Sequence, residues 1–545
     1  ETSWLGGMLT SAGVSAIDGN YKLQSGLWKE FRDHLVDLYG SDDSLKTGWV
    51  SNTVYQPQQG EIIIRKMVDH EGITVLYNTR LTEATVDGNR ITSLEFVDKS
   101  GAEYLIEAGV YIEATEMGDL IRLSNIPHRF GMESTEDSGE SLKLEQEKRW
   151  TQDITYAVIL KYGKNQTPEP PDYDPSEFKN LLNSADGSVS PEDMINYGRL
   201  PGDRFMLNWP RGGNDFYLDE EAYYKPETRV HYWEQAKNVT RRLIYHINRT
   251  LDLPEMEIDR NQYPTDDGFP LIPYIREALR IRGREFLILD DLIDPYKNGN
   301  RKLFRDAIAV GDYPVDHHRL KNPNPMDIKF PEIPSFSIPF GSLVTEDLKN
   351  FMAIEKSISV SSLVNGSSRL QPVVMSLGQA AGAAAALSVK SNTDPFDLKI
   401  HQIQEILLKE KAYILPYMDI LSGTLEFYTS QYAGINDKMR GYGKAVAWAN
   451  ETRFFPEREI DNDTWFFLTG LDKPAKLTKS ILMESLCRLY SFPTFGDIKE
   501  LIHQLNKSEW IEREISDFLM QKQPLDRKYL SVLITAFEKI NRKDK

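Results

Sequence analysis

Apolar positions along this chain switch between two periods, and the switches mark out its elements. Over residues 21–40 they recur every three to four positions and stop at a glycine, which predicts a helix. The same spacing over residues 58–72 predicts a second helix. From Ile73 the pattern changes to a β-branched strand, then a small meander turning at Asp87-Gly88-Asn89 and Lys99-Ser100-Gly101, then a buried strand ending in Ala114-Thr115. Residues 151–163 read as one long strand, followed by a Pro- and acid-rich connection over 167–178 and an amphipathic helix over 230–253. Residues 284–292 and 304–315 give two more strand candidates, and 348–359 a short strand. Residues 368–390, rich in alanine, form the most helix-prone piece. From about residue 396 short amphipathic helices alternate with aromatic-rich loops, at 400–411, 478–490, 497–507 and 526–540.

Strand, meander and strand followed by helix describe an α/β core with an antiparallel insertion. We divide the chain into an α/β domain over 1–150 and 300–395, an insertion over 151–299 and a mainly helical C-terminal domain over 396–545.

Composition narrows the classes. A chain of 545 residues with a net charge of −18 lacks the clustered Lys and Arg that phosphate backbones require, so nucleic acid is not an expected partner. Apolar runs such as AAGAAAALSV fall short of the roughly 20 residues that span a bilayer, so no transmembrane segment is expected. Cys487 is the single cysteine, which excludes an intrachain disulfide and a cysteine metal site, and no second His or Cys cluster completes a metal site. No G-x-S-x-G occurs, so a Ser–His–Asp hydrolase is not signalled. No signal peptide is visible, and a chain starting within a motif leaves both a cytoplasmic and an exported location open. Nothing in the sequence indicates an oligomeric state.

Six segments carry residues suited to chemistry. The opening loop pairs an acid, Glu1, with Gly6 and Gly7, which suits ribose hydroxyls and a close-lying pyrophosphate but equally an ordinary turn. Thr115, Glu116 and Gly118 follow a strand end, either to meet a ligand or as a strand–helix connection that Asp119 caps. Gly378, Gln379 and Ala380 open onto a small-residue run that admits either a flat ligand or tight core packing. The adjacent His317 and His318 follow a strand. Asn214 lies in an aromatic and Gly-rich stretch, and Arg276, Arg280 and Arg282 stand at helical spacings, suited to a carboxylate or to loop-fixing ion pairs.

Taken in order, these pieces resemble the FAD-dependent oxidoreductase family found widely in bacteria, whose fold is glutathione-reductase-like and some of whose members are loosely labelled xanthan lyase-like. The matching residues are Glu1 with Gly6-Gly7-Met8-Leu9-Thr10, then A-T-x-x-G-D-L at 114–120 and R-E-x-x-R-I-x-G at 276–283. They continue with G-D-Y-x-x-D-x-H at 311–318, I-P-[FY]-x-S-L-V at 338–344 and S-x-R-x-x-P-x-x-x-x-L-G-Q-A-A-G at 367–382.

The resemblance implies an FAD/NAD(P)-binding-like parallel sheet and FAD as cofactor, with hydride transfer to or from a small organic substrate, by family analogy a carbohydrate-derived one. It places Glu1 at the adenosine ribose, and Gly6, Gly7 and Met8 near the pyrophosphate or the flavin. The strand from Ile73 would pass the adenine, with Thr115 and Gly118 near the cofactor. Gly378, Gln379 and Ala380 would cover the pyrimidine edge of the flavin at a helix N-terminus, with Arg369 and Pro372 shaping the approach. His317, His318, Asn214, Arg276 and Arg280 become the substrate-side candidates.

Two departures from the family pattern carry expectations of their own. Ala353-Ile354-Glu355 stands where the family commonly has Ala-Gly, and a bulky acid there argues against tight FAD binding in the usual pose. The family's first strand, its G-x-G-x-x-G turn and the following helix would precede Glu1, so a sheet short of its central strand is expected. Two alternatives follow: a non-catalytic flavin-fold binding or structural protein, and a polysaccharide lyase.

Overall fold

The computed structural model describes residues 1–47, 51–69, 72–142, 146–164, 168–184, 187–208, 212–296, 301–323, 325, 327–492, 498–505 and 508–543. Within them the chain is a mixed α/β protein built from several small sheets.

The helices follow the apolar period closely. Gly26–Tyr39 buries Trp28, Phe31 and Leu35 and ends at Gly40, whose φ of 89° is open to glycine. Pro57–Val68 starts on a proline, and Arg229–Thr250 lays Leu243, Ile244 and Ile247 on a four-stranded sheet. That sheet is antiparallel, in the order Arg199–Leu200, Arg204–Leu207, Val158–Tyr162, Met256–Ile258. Gln371–Ser391 is long and apolar enough to cross a membrane by composition alone. Its face of Val373, Leu377, Ala380, Ala381 and Ala384 is instead buried in the protein core, with strand Ala307–Gly311 against it.

The meander is present as Thr79–Asp87, Arg90–Asp98 and Glu103–Ile106, with Gly88 and Gly101 at positive φ in its turns. Among the described residues one pair of strands is parallel, Tyr111–Glu113 beside Phe351–Ala353, with Ala353 opposite Glu113, besides the isolated parallel bridges Leu287–Val360 and Tyr417–Thr452. The wider parallel sheet that the resemblance implies does not form among the described residues.

Four expectations of local structure are corrected. The segment from Ile73 is irregular and Ile73 is 56 % exposed, because its backbone finds no ladder partner among the described residues. The long strand over 151–163 is broken into Ile154–Thr155 and Val158–Tyr162, which join different sheets. At the break the carbonyl of Tyr156 leaves the ladder and accepts from Asn214 Nδ2 (3.2 Å) and Thr240 Oγ1 (3.0 Å). Within 284–292 the chain forms a short helix, Leu289–Ile293, where Asp290 and Asp291 suit the positive N-terminal turn and Glu140 accepts from the Leu289 N–H at 3.0 Å.

The arginine run at 276–283 is extended rather than helical. Its backbone is paired elsewhere: Arg280–Ile281 with His128–Arg129, the Leu279 N–H with the Met117 carbonyl, and the Arg276 carbonyl with Asn365. Helices Ile400–Lys409, Lys479–Tyr490, Ile498–His503 and Arg527–Lys543 lie where the pattern put them, and Leu425–Ile435 is a further helix that the pattern did not mark. One continuous apolar cluster runs from Ile338 and Leu377 to Leu407, Tyr432 and Phe537.

Candidate functional site

Separate stretches of chain deliver the charged side chains Asp18, Arg276, Asp316, His318 and Arg369 to one cavity of about 170 Å³, with Asp215 held behind His318 and Arg276. Strand Ala307–Gly311 ends in a loop that presents Asp316 and His318. Strand Asp215–Phe216 pairs with Ile154–Thr155 and brings up Asp215. Arg369 caps the C-terminal end of helix Ser362–Ser368, one turn before Gln371–Ser391 begins.

His318 stands at the centre. Its Nδ1 lies 2.7 Å from Asp215 Oδ2 and its Nε2 lies 3.4 Å from Asp316 Oδ2. Gln152 accepts from its backbone N–H at 3.2 Å, and its carbonyl accepts from Asp153 N at 2.9 Å, so the ring has a fixed base. Asp316 also takes Arg369 Nη2 at 2.7 Å, and Arg369 Nη1 donates to the Tyr274 hydroxyl. Arg276 donates to the Asp153 carbonyl (2.7 Å) and Thr155 Oγ1 (2.8 Å) and pairs with Asp215 Oδ1 at 3.4 Å. The Nε atoms of Arg276 and Arg369 are buried without a hydrogen-bond partner.

The charges tune one another. Burial alone would raise both aspartates, but His318 with Arg276 holds Asp215, and His318 with Arg369 holds Asp316, well below the usual carboxylate range. Burial and Arg276 push His318 down, yet the two carboxylates outweigh them and leave it above its ordinary value. Across the cavity Asp18, which accepts from Ser51 (2.5 Å) and Tyr313 (3.3 Å), is pushed up to about 6 by burial.

A second cleft, about 660 Å³, opens where the Tyr111–Glu113 strand ends. Glu1, Gly7 and Thr115 line it, with Glu116, Asp119 and Arg229. Thr115 Oγ1 accepts from the N–H groups of Gly118 (3.1 Å) and Asp119 (2.7 Å), closing the turn in which Gly118 takes a φ of 83°. Arg229 is held in a bidentate pair with Asp119 at 2.9 and 2.7 Å. Residues 7–16 run from this cleft, at Ser11, to the His318 cavity, at Val14.

The structure thus brings His318, Arg276 and Arg369 together, with Pro372 in the adjoining helical turn, and gathers Glu1, Gly7 and Thr115 at the other opening. Gly6, at a φ of 102°, packs against Ile64 and Thr10, and Met8 is core.

Other candidates lie elsewhere. His317 is buried against Trp150 and Phe330, bonds Ser362 Oγ at 3.1 Å, and is held far below its ordinary value by burial. Arg280 is fully buried between Glu133 and Glu277. Asn214 donates to Tyr156, Leu207 and Thr240 inside the core. Gly378, Gln379 and Ala380 lie well inside helix Gln371–Ser391 and not at its N-terminus, which corrects the expected cap on a ligand. Gln379 Oε1 instead accepts from the Leu27 N–H at 3.2 Å, capping helix Gly26–Tyr39.

Asp215, Asp316, Asp18 and Tyr274 were not singled out from the sequence. Asp316 had a signal, since it lies within the 311–318 motif. Asp215 had none beyond its neighbour Asn214.

Two observations test whether an FAD would fit. Helix Gln371–Ser391 has no side-chain cap at Leu370, and that helix start borders the His318 cavity through Leu370 and Gln371, so its positive end is placed to favour a negatively charged group there. At the larger cleft Gly7, at a φ of 48°, has a carboxylate oxygen of Glu116 2.6 Å from where a Cβ would stand, so a side chain there would have to displace Glu116. Glu355, the departure noted in the sequence, takes a φ of 59° and turns onto Lys356 (2.9 Å), which also pairs with Glu116 (2.5 Å). Burial, against the pull of Lys356, raises Glu355 above its ordinary value, and the side chain is engaged by Lys356. The uncapped helix start beside the His318 cavity is chemistry that suits the cofactor.

No curated protein matches this sequence. Residues 1–407 match the model of the family described as FAD dependent oxidoreductase, and the chain, matched over most of its length, belongs to that family.

Proposed function

We propose that the protein is an FAD-dependent oxidoreductase that oxidises a hydroxyl group on a small polyhydroxylated substrate in the His318 cavity. The observation that carries the reading is the Asp215–His318–Asp316–Arg369 array, opening beside the uncapped first turn of Gln371–Ser391.

Bound FAD supplies a hydride acceptor. The chain's residues handle the proton. In its neutral form His318, oriented by Asp215 at Nδ1, takes the proton of the substrate hydroxyl at Nε2, and the imidazolium that results is stabilised by Asp215 and Asp316. Arg369 and Tyr274 hold Asp316 in place. The N-terminus of Gln371–Ser391, with Arg369 just before it, favours negative charge on the cofactor side. Glu1 and Gly7 would hold the adenosine and pyrophosphate end at the 660 Å³ cleft, which falls within the roughly 300–1,000 Å³ usual for ligand sites.

A second reading draws on the same cluster. Tyr274, His318, Arg276 and Arg369 are the residue types a polysaccharide lyase uses. The cavity of about 170 Å³ suits one ring rather than a polymer, which favours the oxidoreductase.

The test is to supply purified protein with FAD, separate free from bound cofactor, and offer neutral monosaccharides and uronic acids with a dye acceptor. Retained flavin and dye reduction by a panel member support the reading. Failure to retain flavin at excess FAD overturns it, and an unsaturated uronate product formed without flavin supports the lyase.

A further inference from the structure

The His318 cavity has one wall that comes from beyond the family-matched residues. Strands Tyr442–Lys444 and Glu451–Arg453 pair antiparallel, and the loop between them, residues 445–450, reaches back to the cavity and places Trp448 on it. The indole is half exposed, at 50 %, and lies 5.7 Å from the ring of Tyr313 at 40°. A large aromatic left half open beside a polar cavity has an apolar face with nothing yet covering it.

The loop is built to hold that position. The buried Asn450 accepts from the Val446 N–H through Oδ1 at 2.7 Å, and its own N–H donates to the Asp312 carbonyl at 2.9 Å. Asp312 belongs to the same 311–318 segment that carries Asp316 and His318, so the loop and the charged array share one anchor. Ala447, directly before the tryptophan, has a φ of 45°, a conformation an L-residue keeps only where its surroundings enforce it. Lys22 pairs with Glu451 at 3.1 Å and ties the hairpin to the segment that follows Asp18.

The other walls specify what fits against the indole. Asp18, Ser51, Tyr197, Asn208 and Arg369 offer hydrogen-bond donors and acceptors around the cavity. Polar groups around the rim, with the indole and the apolar Val14, Ala16 and Met206 also lining the cavity, suit a ring that has hydroxyls at its edge and C–H groups on its faces.

We propose that Trp448 is a specificity-determining residue of the His318 site, stacking on the C–H face of a polyhydroxylated ring, and that Asn450 is its positioning residue. The inference rests on the oxidoreductase reading above. It makes the C-terminal region part of the site.

Trp448→Ala and Trp448→Phe are compared with the unaltered protein in two experiments. The first needs no substrate: diethyl pyrocarbonate modification of His318 is followed by mass spectrometry, with the exposed His231 as reference. Trp448→Ala is expected to speed modification of His318 several-fold, Trp448→Phe to restore the slow rate, and His231 to stay constant. The second uses the FAD-supplied protein and the monosaccharide and uronic acid panel. Trp448→Ala is expected to raise KM about three- to tenfold with kcat nearly unchanged, as loss of one stacking contact does, and Trp448→Phe to recover most of it. Asn450→Ala should give the same KM rise with Trp448 still present. Unchanged His318 modification in Trp448→Ala overturns the proposal, as does an unchanged KM. If the unaltered protein oxidises no panel member, the functional reading fails, while the His318 arm still decides whether Trp448 walls the cavity.

Discussion

Asp215 Oδ2 lies 2.7 Å from Nδ1 of His318, and the same carboxylate reaches Arg276 through Oδ1 at 3.4 Å. One acid therefore fixes the tautomer of the imidazole, leaving Nε2 turned to Asp316, and balances the charge of the arginine behind it. Replacing it with asparagine keeps the shape and removes the charge. In Asp215→Asn the His318 pKa should fall, since the opposite charge that helps to raise it is gone. A shift of the histidine signals in an NMR titration reads this directly. Because neutral His318 is the proton acceptor, the acid limb of the pH–rate profile should move to lower pH in the same variant. An unmoved titration would mean that Asp215 does not set the state of His318.

Gln379 belongs to a sequence motif that the family resemblance placed on the flavin, yet its side chain caps helix Gly26–Tyr39 through Leu27. Gln379→Ala should cost about 1 kcal/mol of stability, the scale of a lost helix cap, and leave FAD retention unchanged. Denaturant unfolding together with flavin content separates the two roles.

Lys356 is buried with Glu116 and Glu355 on either side of its ammonium. Lys356→Met leaves two acids without their cation and should destabilise the fold by about 3–5 kcal/mol, the usual result of breaking a buried pair from one side. Glu355→Gly keeps the Lys356–Glu116 pair and relieves a left-handed φ of 59°. It should cost far less. Equal losses in the two variants would contradict this account of the cluster.

Asp312 is buried, accepts from the Asn20 N–H at 2.7 Å, and is pushed up to about 7 by burial. Unfolded, it loses its proton near pH 4. The folded state therefore binds the extra proton between about pH 4 and pH 7, and the stability this contributes is lost as pH rises through that window. Asp312→Asn has no proton to lose. Relative to the unaltered protein it should gain stability between pH 5 and pH 8, measured as the change in the urea midpoint difference; no gain would show Asp312 ionised in the fold.

Much of the helical framework was legible in the sequence because amphipathic spacing persists for three turns or more, as in Gly26–Tyr39 and Arg229–Thr250, or because alanine dominates, as in Gln371–Ser391. Short elements were not. Leu287 and its neighbours are apolar enough for a strand, but acids at 290 and 291 and a carboxylate from Glu140, 149 positions away, favour a helical turn. The spacing of Arg276 and Arg280 imitates a helix, while their partners, Asp215 and Glu133, lie far along the chain and draw the two side chains to different places. Of the site, the 311–318 motif pointed to the right segment but not to which histidine faces the cavity. That depends on Trp150, Phe330 and Ser362 surrounding His317. Trp448 carried no local signal, since its relation to Tyr313 exists only in three dimensions.

The most direct test of the central reading is anaerobic reduction of the bound flavin by the panel sugar that serves as substrate, in its hydroxyl form, comparing the unaltered protein with His318→Gln. The account predicts equal flavin retention in both and a rate of flavin bleaching lower by about a hundredfold or more in the variant, the range lost with a general base. Bleaching at the same rate in His318→Gln, with flavin retained, would contradict it.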